Sequence, residues 1–137
     1  MADTQDGPEL HPTTRELAAG ANYAAISTLL PSGRIQTQYI WVGLDGDRLF
    51  VNTETHRRKF QDLQRDGRVT LAIRDEANPY RYAEVRGTVA EIETGDRARA
   101  QIDELSQKYN GQPYPAENIV SERVTVYIEP ERQTIAG

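Results

Sequence analysis

Four consecutive residues, His56-Arg57-Arg58-Lys59, form the densest basic cluster in a chain that is otherwise acidic. From Glu54 to Arg68 there are five Lys or Arg against three Asp or Glu, a local charge of +2 within a chain of net charge −5. The cluster follows a strand-like run, Arg48 to Thr53, and opens a segment, Thr55 to Asp66, that reads as a short helix: Phe60 and Leu63 stand three apart and Gly67 lies just beyond. Cations in the first turn of a helix oppose its dipole, which favours anions there. A bound phosphate relieves that conflict by using helix N–H groups and basic side chains together. Thr53 and Thr55 place hydroxyls at the same end. The plainer alternative is a solvated charged face.

A second pattern is Asn78-Pro79-Tyr80-Arg81-Tyr82-Ala83-Glu84. On a strand, Tyr80 and Tyr82 share one face and Arg81 takes the other. Aromatic rings beside a cation suit a planar anionic ligand, although alternating Tyr also serves ordinary packing.

Several chemistries are excluded or poorly supported. Cys is absent, which removes disulfides, zinc–thiolate sites, iron–sulfur clusters and thiol nucleophiles together. With only two His, His11 and His56, neither a His-rich metal site nor a Ser-His-Asp triad is expected. His56 reads as a surface or phosphate-contacting residue. Gly-x-Gly-x-x-Gly and the P-loop pattern are both missing. The acidic balance, 16 Lys+Arg against 21 Asp+Glu, argues against non-specific binding to nucleic acid or to an anionic membrane surface. No apolar run approaches the ~20 residues that span a bilayer. Met1 to His11 is polar, without the basic start and apolar stretch of a signal peptide, so a cytoplasmic protein is expected. A chain with an anion cradle but no nucleophile or metal set works through a bound cofactor, or does no chemistry.

The elements that must position these residues are mostly strands. Residues 1–11 read as a flexible tail and 12–137 as one domain, which suits 137 residues. Pro12 to Gly20 suggests a short helix. Tyr23 to Leu30, Ile35 to Leu44 and Arg48 to Thr53 read as strands, with Pro31-Ser32-Gly33-Arg34 and Asp45-Gly46-Asp47 as turns. In the second of these, Gln36 and Gln38 alternate with Ile35, Thr37 and Tyr39, the period of a half-buried sheet. The sole indole, Trp41, lies inside that strand, with core packing or contact with a ligand ring as its two readings. Arg68 to Arg74 and Tyr80 to Glu93 are further strands, and Gly87 inside the second suggests a bulge. Ala98, Ile102, Leu105 and Tyr109 mark a helix from Gly95 to Tyr109, with Thr94 as N-cap and Gly111 as stop. Ser121 to Glu129 is a last strand. Hairpin-linked strands with short helices argue for a mainly β (α+β) fold, a small antiparallel barrel, rather than a βαβ sheet.

The order of these motifs resembles the pyridoxamine-phosphate-oxidase-like split β-barrel family. The resemblance runs through Ala25-Ile-Ser-Thr-Leu29, Pro31-Ser-Gly-Arg34 and Trp41-Val-Gly-Leu-Asp-Gly-Asp-Arg-Leu-Phe-Val-Asn-Thr53. It continues in Arg57-Arg-Lys-Phe-Gln-Asp-Leu-Gln-Arg-Asp-Gly-Arg-Val69, Tyr82-Ala-Glu-Val-Arg-Gly-Thr-Val89 and Glu122-Arg-Val-Thr-Val-Tyr-Ile-Glu-Pro-Glu-Arg132, covering nearly everything from Tyr23 onward. Size and ending are similar to the branch that uses the deazaflavin coenzyme F420.

The resemblance implies a homodimer of split barrels with cofactor sites in the grooves between subunits. It also implies a reductase that passes a hydride from reduced F420 to a small electron-poor conjugated substrate. The alternatives are an FMN-dependent oxidoreductase on the same fold and a non-catalytic flavin- or deazaflavin-binding protein. By the same resemblance, Arg57 and Lys59, with Arg58 in the same cluster, would hold the cofactor phosphate and Thr53 would sit beside it. Asn52 would lie near the ring or tail, Tyr80, Arg81 and Tyr82 would approach the cofactor, and Gln38 (with Gln36) would flank the ring. No metal site and no catalytic residue are implied. The sequence departs from the family pattern at Asp62, where Asn is frequent, at Gly67, where Pro is common, and at Gln38-Tyr39, where Thr-Pro is frequent.

Overall fold

Two consecutive strands, joined by only two residues, form the two ends of a seven-strand path, and that connection forces the sheet to curl. The computed structural model describes residues 3–137. In chain order the elements are β1 (Asp3–Asp6), α1 (Pro12–Ala19), β2 (Ala24–Leu29), β3 (Ile35–Ile40), β4 (Gly43–Asp45) and β5 (Arg48–Glu54). Then follow α2 (Arg58–Arg65), β6 (Arg68–Asp75), β7 (Asn78–Glu93), α3 (Gly95–Asn110), a 3-10 turn (Ala116–Asn118) and β8 (Arg123–Ala136). The strand order is β3-β2-β6-β7-β8-β5-β4, with β1 added beside β8. Every pairing is antiparallel. Because β3 ends at Ile40 and β4 begins at Gly43, the two free edges must lie near each other, giving an antiparallel barrel open along that seam.

β8 is the hub. From Thr125 onward it pairs with β7, its first half pairs with β5 on the other side, and its end pairs with β1. Arg123 to Ile128 are all buried, because the barrel interior covers one face of the strand and α3 covers the other. Val124, Val126 and Ile128 join the interior cluster with Val51, Leu71 and Val85. Tyr127 packs with Phe50, Ile102 and Leu105 beneath α3.

Four sequence expectations need revision. Where a mobile tail was expected over residues 1–11, Asp3–Asp6 pair with Arg132 to Ile135, and His11 is held through its backbone N–H to Gln133 (2.9 Å); Met1 and Ala2 lie outside the described residues. The strand expected from Ile35 to Leu44 is broken at Trp41-Val42. There α3 takes the strand's polar groups: Lys108 donates to the Val42 carbonyl (2.6 Å), and the Val42 N–H donates to the Tyr109 hydroxyl (3.2 Å). The half-buried alternation expected in β3 is also absent, since Ile35, Thr37, Gln38 and Tyr39 are all exposed. Finally, Pro130 does not end β8, because it stands opposite Gly87 at a register shift, where the ladder is already interrupted. Thr94 precedes α3 as expected but makes no side-chain capping bond, while Gly111 ends it in the left-handed conformation (φ 74°).

Gly87 is a requirement of close approach. A Cβ built there runs into the carbonyl oxygen of Glu129 on β8. Gly87→Ala must therefore push β7 from β8 at the centre of the barrel, an overpacking cost of about 1–3 kcal/mol. Urea denaturation should show that loss; an unchanged midpoint would contradict the packing described.

Candidate functional site

The outer face of β5 and β8, roofed by α3, carries a polar row set by strand register. Phe50 stands opposite Tyr127, Asn52 opposite Thr125 and Glu54 opposite Arg123. Asn52 donates through Nδ2 to the Ala98 carbonyl (2.9 Å) and the Thr125 hydroxyl (3.0 Å), and through Oδ1 accepts from Arg123 Nε (2.9 Å). Glu54 is buried, and its Oε1 accepts from the N–H groups of Val120 (2.7 Å) and Ser121 (3.3 Å). Burial pushes its carboxyl up, but those two bonds and the positive charge of Arg123 outweigh that push and hold it below the usual range. Its Oε2 lies 3.9 Å from Arg123 Nη1 and 3.7 Å from His56 Nδ1. His56 bonds Ser121 Oγ through Nδ1 (2.6 Å).

Asn52 and Arg123 of this row border a cleft of about 380 Å³. Three cations line it: Arg57 at the residue before α2, Lys59 in the first turn, and Arg123 from β8. Burial, then the neighbouring charges of Arg57 and Arg123, bring the Lys59 ammonium down to about 8. Burial likewise lowers Arg123, whose guanidinium lies 5.2 Å from the Tyr114 ring centroid. The other walls are apolar and aromatic. Trp41 stacks on Tyr109 (centroids 5.1 Å apart, planes 5° apart) and meets Tyr114 edge-on at 6.4 Å. Tyr109 is anchored by donating to the Asn22 carbonyl (2.6 Å), and burial raises its hydroxyl to about 12. Tyr23, Tyr39, Ile40, Ile102 and Leu105 complete the lining. A cationic end and an aromatic body in one cleft can hold a planar molecule with an anionic tail.

Of the residues singled out in the sequence, the cleft gathers Asn52, Thr53, Arg57 and Lys59. Arg58 lies outside it, exposed and facing Asp62 at 3.7 Å. Arg81 is turned away and held by Glu16 (2.6 Å) and Asp75 (3.1 Å), a tie between β7 and α1. Gln38 lies on the exposed edge strand β3, and Tyr80 is 83% exposed at the start of β7. Tyr82 lines a separate apolar trough of about 510 Å³ with Ala25, Ala72, Arg74 and Pro79. Tyr23 and Tyr39 line both, so trough and cleft adjoin at these two rings. Asp62, the departure beside the basic cluster, is buried and bonded by Arg65 (2.9 Å) within α2. Among the described residues no group of His, Asp and Glu is placed to hold a metal ion, and no helix is long and apolar enough to cross a membrane.

Sequence reasoning passed over Arg123 and Tyr114. The alternation Arg123, Thr125, Tyr127 against Val124, Val126, Ile128 is the signal that marks a polar face on an otherwise apolar strand.

The family model for pyridoxamine 5'-phosphate oxidase matches residues 10–135. The chain belongs to that family. Within it, the protein is similar in structure to an F420 reductase, with 30% identity over 87% of this chain and 94% of that one and a TM-score of 0.75. It also resembles a conserved hypothetical protein of Mycobacterium tuberculosis (19% identity, 96% and 89% covered, TM-score 0.71). A third similar structure is a pyridoxamine 5'-phosphate oxidase-related, FMN-binding protein of Nostoc punctiforme (18% identity, 80% and 72% covered, TM-score 0.60). The sequence matches no curated protein.

The charge on Lys59 gives the cleft a pH signature. Below about pH 8 Lys59 is charged in the empty cleft; as pH rises through 8 it discharges, whereas in the unfolded chain it stays charged to about 10.5. The empty protein should therefore gain stability between those values, because the unfolded state binds the extra proton. Anion affinity should fall over the same rise, and binding near pH 8 should take up protons. Calorimetry in buffers of different ionisation enthalpy checks this; anion binding without proton uptake would separate Lys59 from the site.

Proposed function

We propose that the protein is an F420H2-dependent reductase. The observation that carries this reading is the convergence of Arg57, Lys59 and Arg123 at one end of an aromatic-walled cleft. The 30% identical F420 reductase supports it. The residues present fit a phosphate-bearing planar group: three cations face the cleft, Glu54 is their one nearby counter-charge among the described residues, and the walls are rings. When bound, reduced F420 supplies the hydride for an electron-poor conjugated acceptor. The chain's own residues bind and orient. Arg57, Lys59 and Arg123 hold the anionic end, Thr53 lies beside them, and Trp41, Tyr23 and Tyr39 provide faces against which rings align. No side chain need act as a nucleophile.

FMN is the second reading, because three cations against one carboxylate also suit a dianionic phosphomonoester. Titration with F420, FMN and FAD separates them. Trp41 is the sole indole and lines the cleft, so its fluorescence reports occupancy. F420 should bind best, and the loaded protein should reduce conjugated acceptors. Arg57→Ala and Lys59→Ala should each weaken binding by about 1–3 kcal/mol. Unchanged affinity in both variants dismisses the phosphate assignment, and tight binding without hydride transfer leaves a carrier protein.

The same reading includes a homodimer. Tyr39 is 82% exposed and Tyr82 40%, and both flank the apolar trough, a surface that a second copy of the chain would cover. Sedimentation should give a dimer for the wild type and a monomer for Tyr82→Glu; a monomeric wild type removes the shared groove.

A further inference from the structure

We propose that Arg123 is the specificity-determining cation of the cleft, a fixed fork for two oxygens of a phosphate or carboxylate, and that Asn52 is its positioning residue. The proposal rests on reading the cleft as an anion site and deepens it by separating the roles of its three cations.

Arg57 is exposed at the N-terminal boundary of α2, and Lys59 is a point charge on a flexible stem. Arg123 differs from both. Its side chain is 7% exposed, its Nε is spent on Asn52, and its guanidinium is flanked by the Tyr114 ring. Among the described residues neither Nη group makes a hydrogen bond; the nearest carboxylate oxygen, Glu54 Oε2, is 3.9 Å from Nη1. The Nη groups are not sealed from solvent, so their four unspent N–H donors open on the cleft, where an anion can take them. The planar fork matches two oxygens of one anion, which an ammonium does not.

Asn52 is placed to fix that fork, not to touch the ligand. Both hydrogens of its amide go to the Ala98 carbonyl and the Thr125 hydroxyl, which settles its orientation and leaves Oδ1 for Arg123 Nε. It therefore references the guanidinium to α3, β5 and β8 at once. Glu54 stands behind on the same strand face, and its two backbone bonds hold the chain that leads from the Tyr114 loop into β8.

The test uses the full-length protein with five probes: F420, FMN, the chromophore of each lacking the phosphate, and inorganic phosphate alone. Binding is read by Trp41 fluorescence and stability by thermal shift. Arg123→Lys preserves the charge and removes the fork. It should weaken the phosphate-bearing forms tenfold or more, leave the phosphate-free chromophores unchanged, and abolish stabilisation by inorganic phosphate. Asn52→Ala should shift the same ratio in the same direction. Equal affinity of Arg123→Lys and wild type for the phosphate-bearing forms overturns the proposal. So does an equal loss for both classes of chromophore, since Arg123 would then be a wall. If no ring binds the wild type, the reductase reading falls, and phosphate stabilisation lost in Arg123→Lys still upholds the receptor; no stabilisation in the wild type ends that too. Should Arg123→Lys not fold, Asn52→Ala decides by the same ratio.

Discussion

The site depends on drawing Lys59 and Arg123 away from water, beside the exposed Arg57, without an equal negative charge next to them. Arg57, Lys59 and Arg123 share one cleft, and among the described residues Glu54 alone stands near as a counter-charge. Lys59 shows the cost: bringing an ammonium down to about 8 corresponds to about 3 kcal/mol against its charged form at neutral pH. The empty fold bears that cost, and an anion in the cleft offsets it. Such strain persists only where the surroundings over-determine it, and here they do. Strand register puts Glu54 opposite Arg123, and the Asn52 amide ties Arg123 to the roof helix.

The roof is held with equal care at its other end. Lys108 donates to the carbonyls of Ala18 (2.9 Å) and Val42 (2.6 Å), joining α1, α3 and the link between β3 and β4. Tyr109 holds the same link from its hydroxyl and gives Trp41 a stacking surface. These contacts break the long strand and bring the barrel's two edges together across two residues. Closure of the barrel and the shape of the aromatic wall are thus one structural event. Toward the opposite end of α3, Gln101 bonds Tyr127 (3.0 Å) and Thr125 (2.5 Å), and Tyr127 donates to Asp45 (2.7 Å). A satisfied polar chain of this kind fixes the helix in one position on the sheet.

What was legible in the sequence follows the range of the forces involved. Local signals served well: Gly111 stopping α3, Asp45-Gly46-Asp47 turning, and Gly87 marking a register shift between long strands. The basic cluster was expected at a helix start, and Arg57 and Lys59 do flank the start of α2 in the cleft, while Arg58 faces Asp62. Long-range pairing was not legible. Arg123 begins a strand of apolar residues, and its place in the cleft exists only because β8 lies beside β5 in a particular register. Arg81 carried the opposite error: beside two tyrosines it suggested a ligand contact, yet Glu16, far away in sequence, claims it. Residues 3–6 looked like a tail because a short polar strand at a sheet margin has no periodic signature, and its partner lies at the other end of the chain.

The exposed face of β3 links the fold to the site. Tyr39 borders both the cationic cleft and the apolar trough, and it is nearly bare. A ring lying against Tyr39 and Trp41 has protein on one side and solvent on the other unless something covers the trough. Hydride transfer in such a groove gains from exclusion of water, and cationic grip on a phosphate strengthens in the drier medium. The uncovered aromatic face and the under-compensated cations therefore make the same demand: each is costly alone, and one planar anion covered by a second barrel would satisfy both.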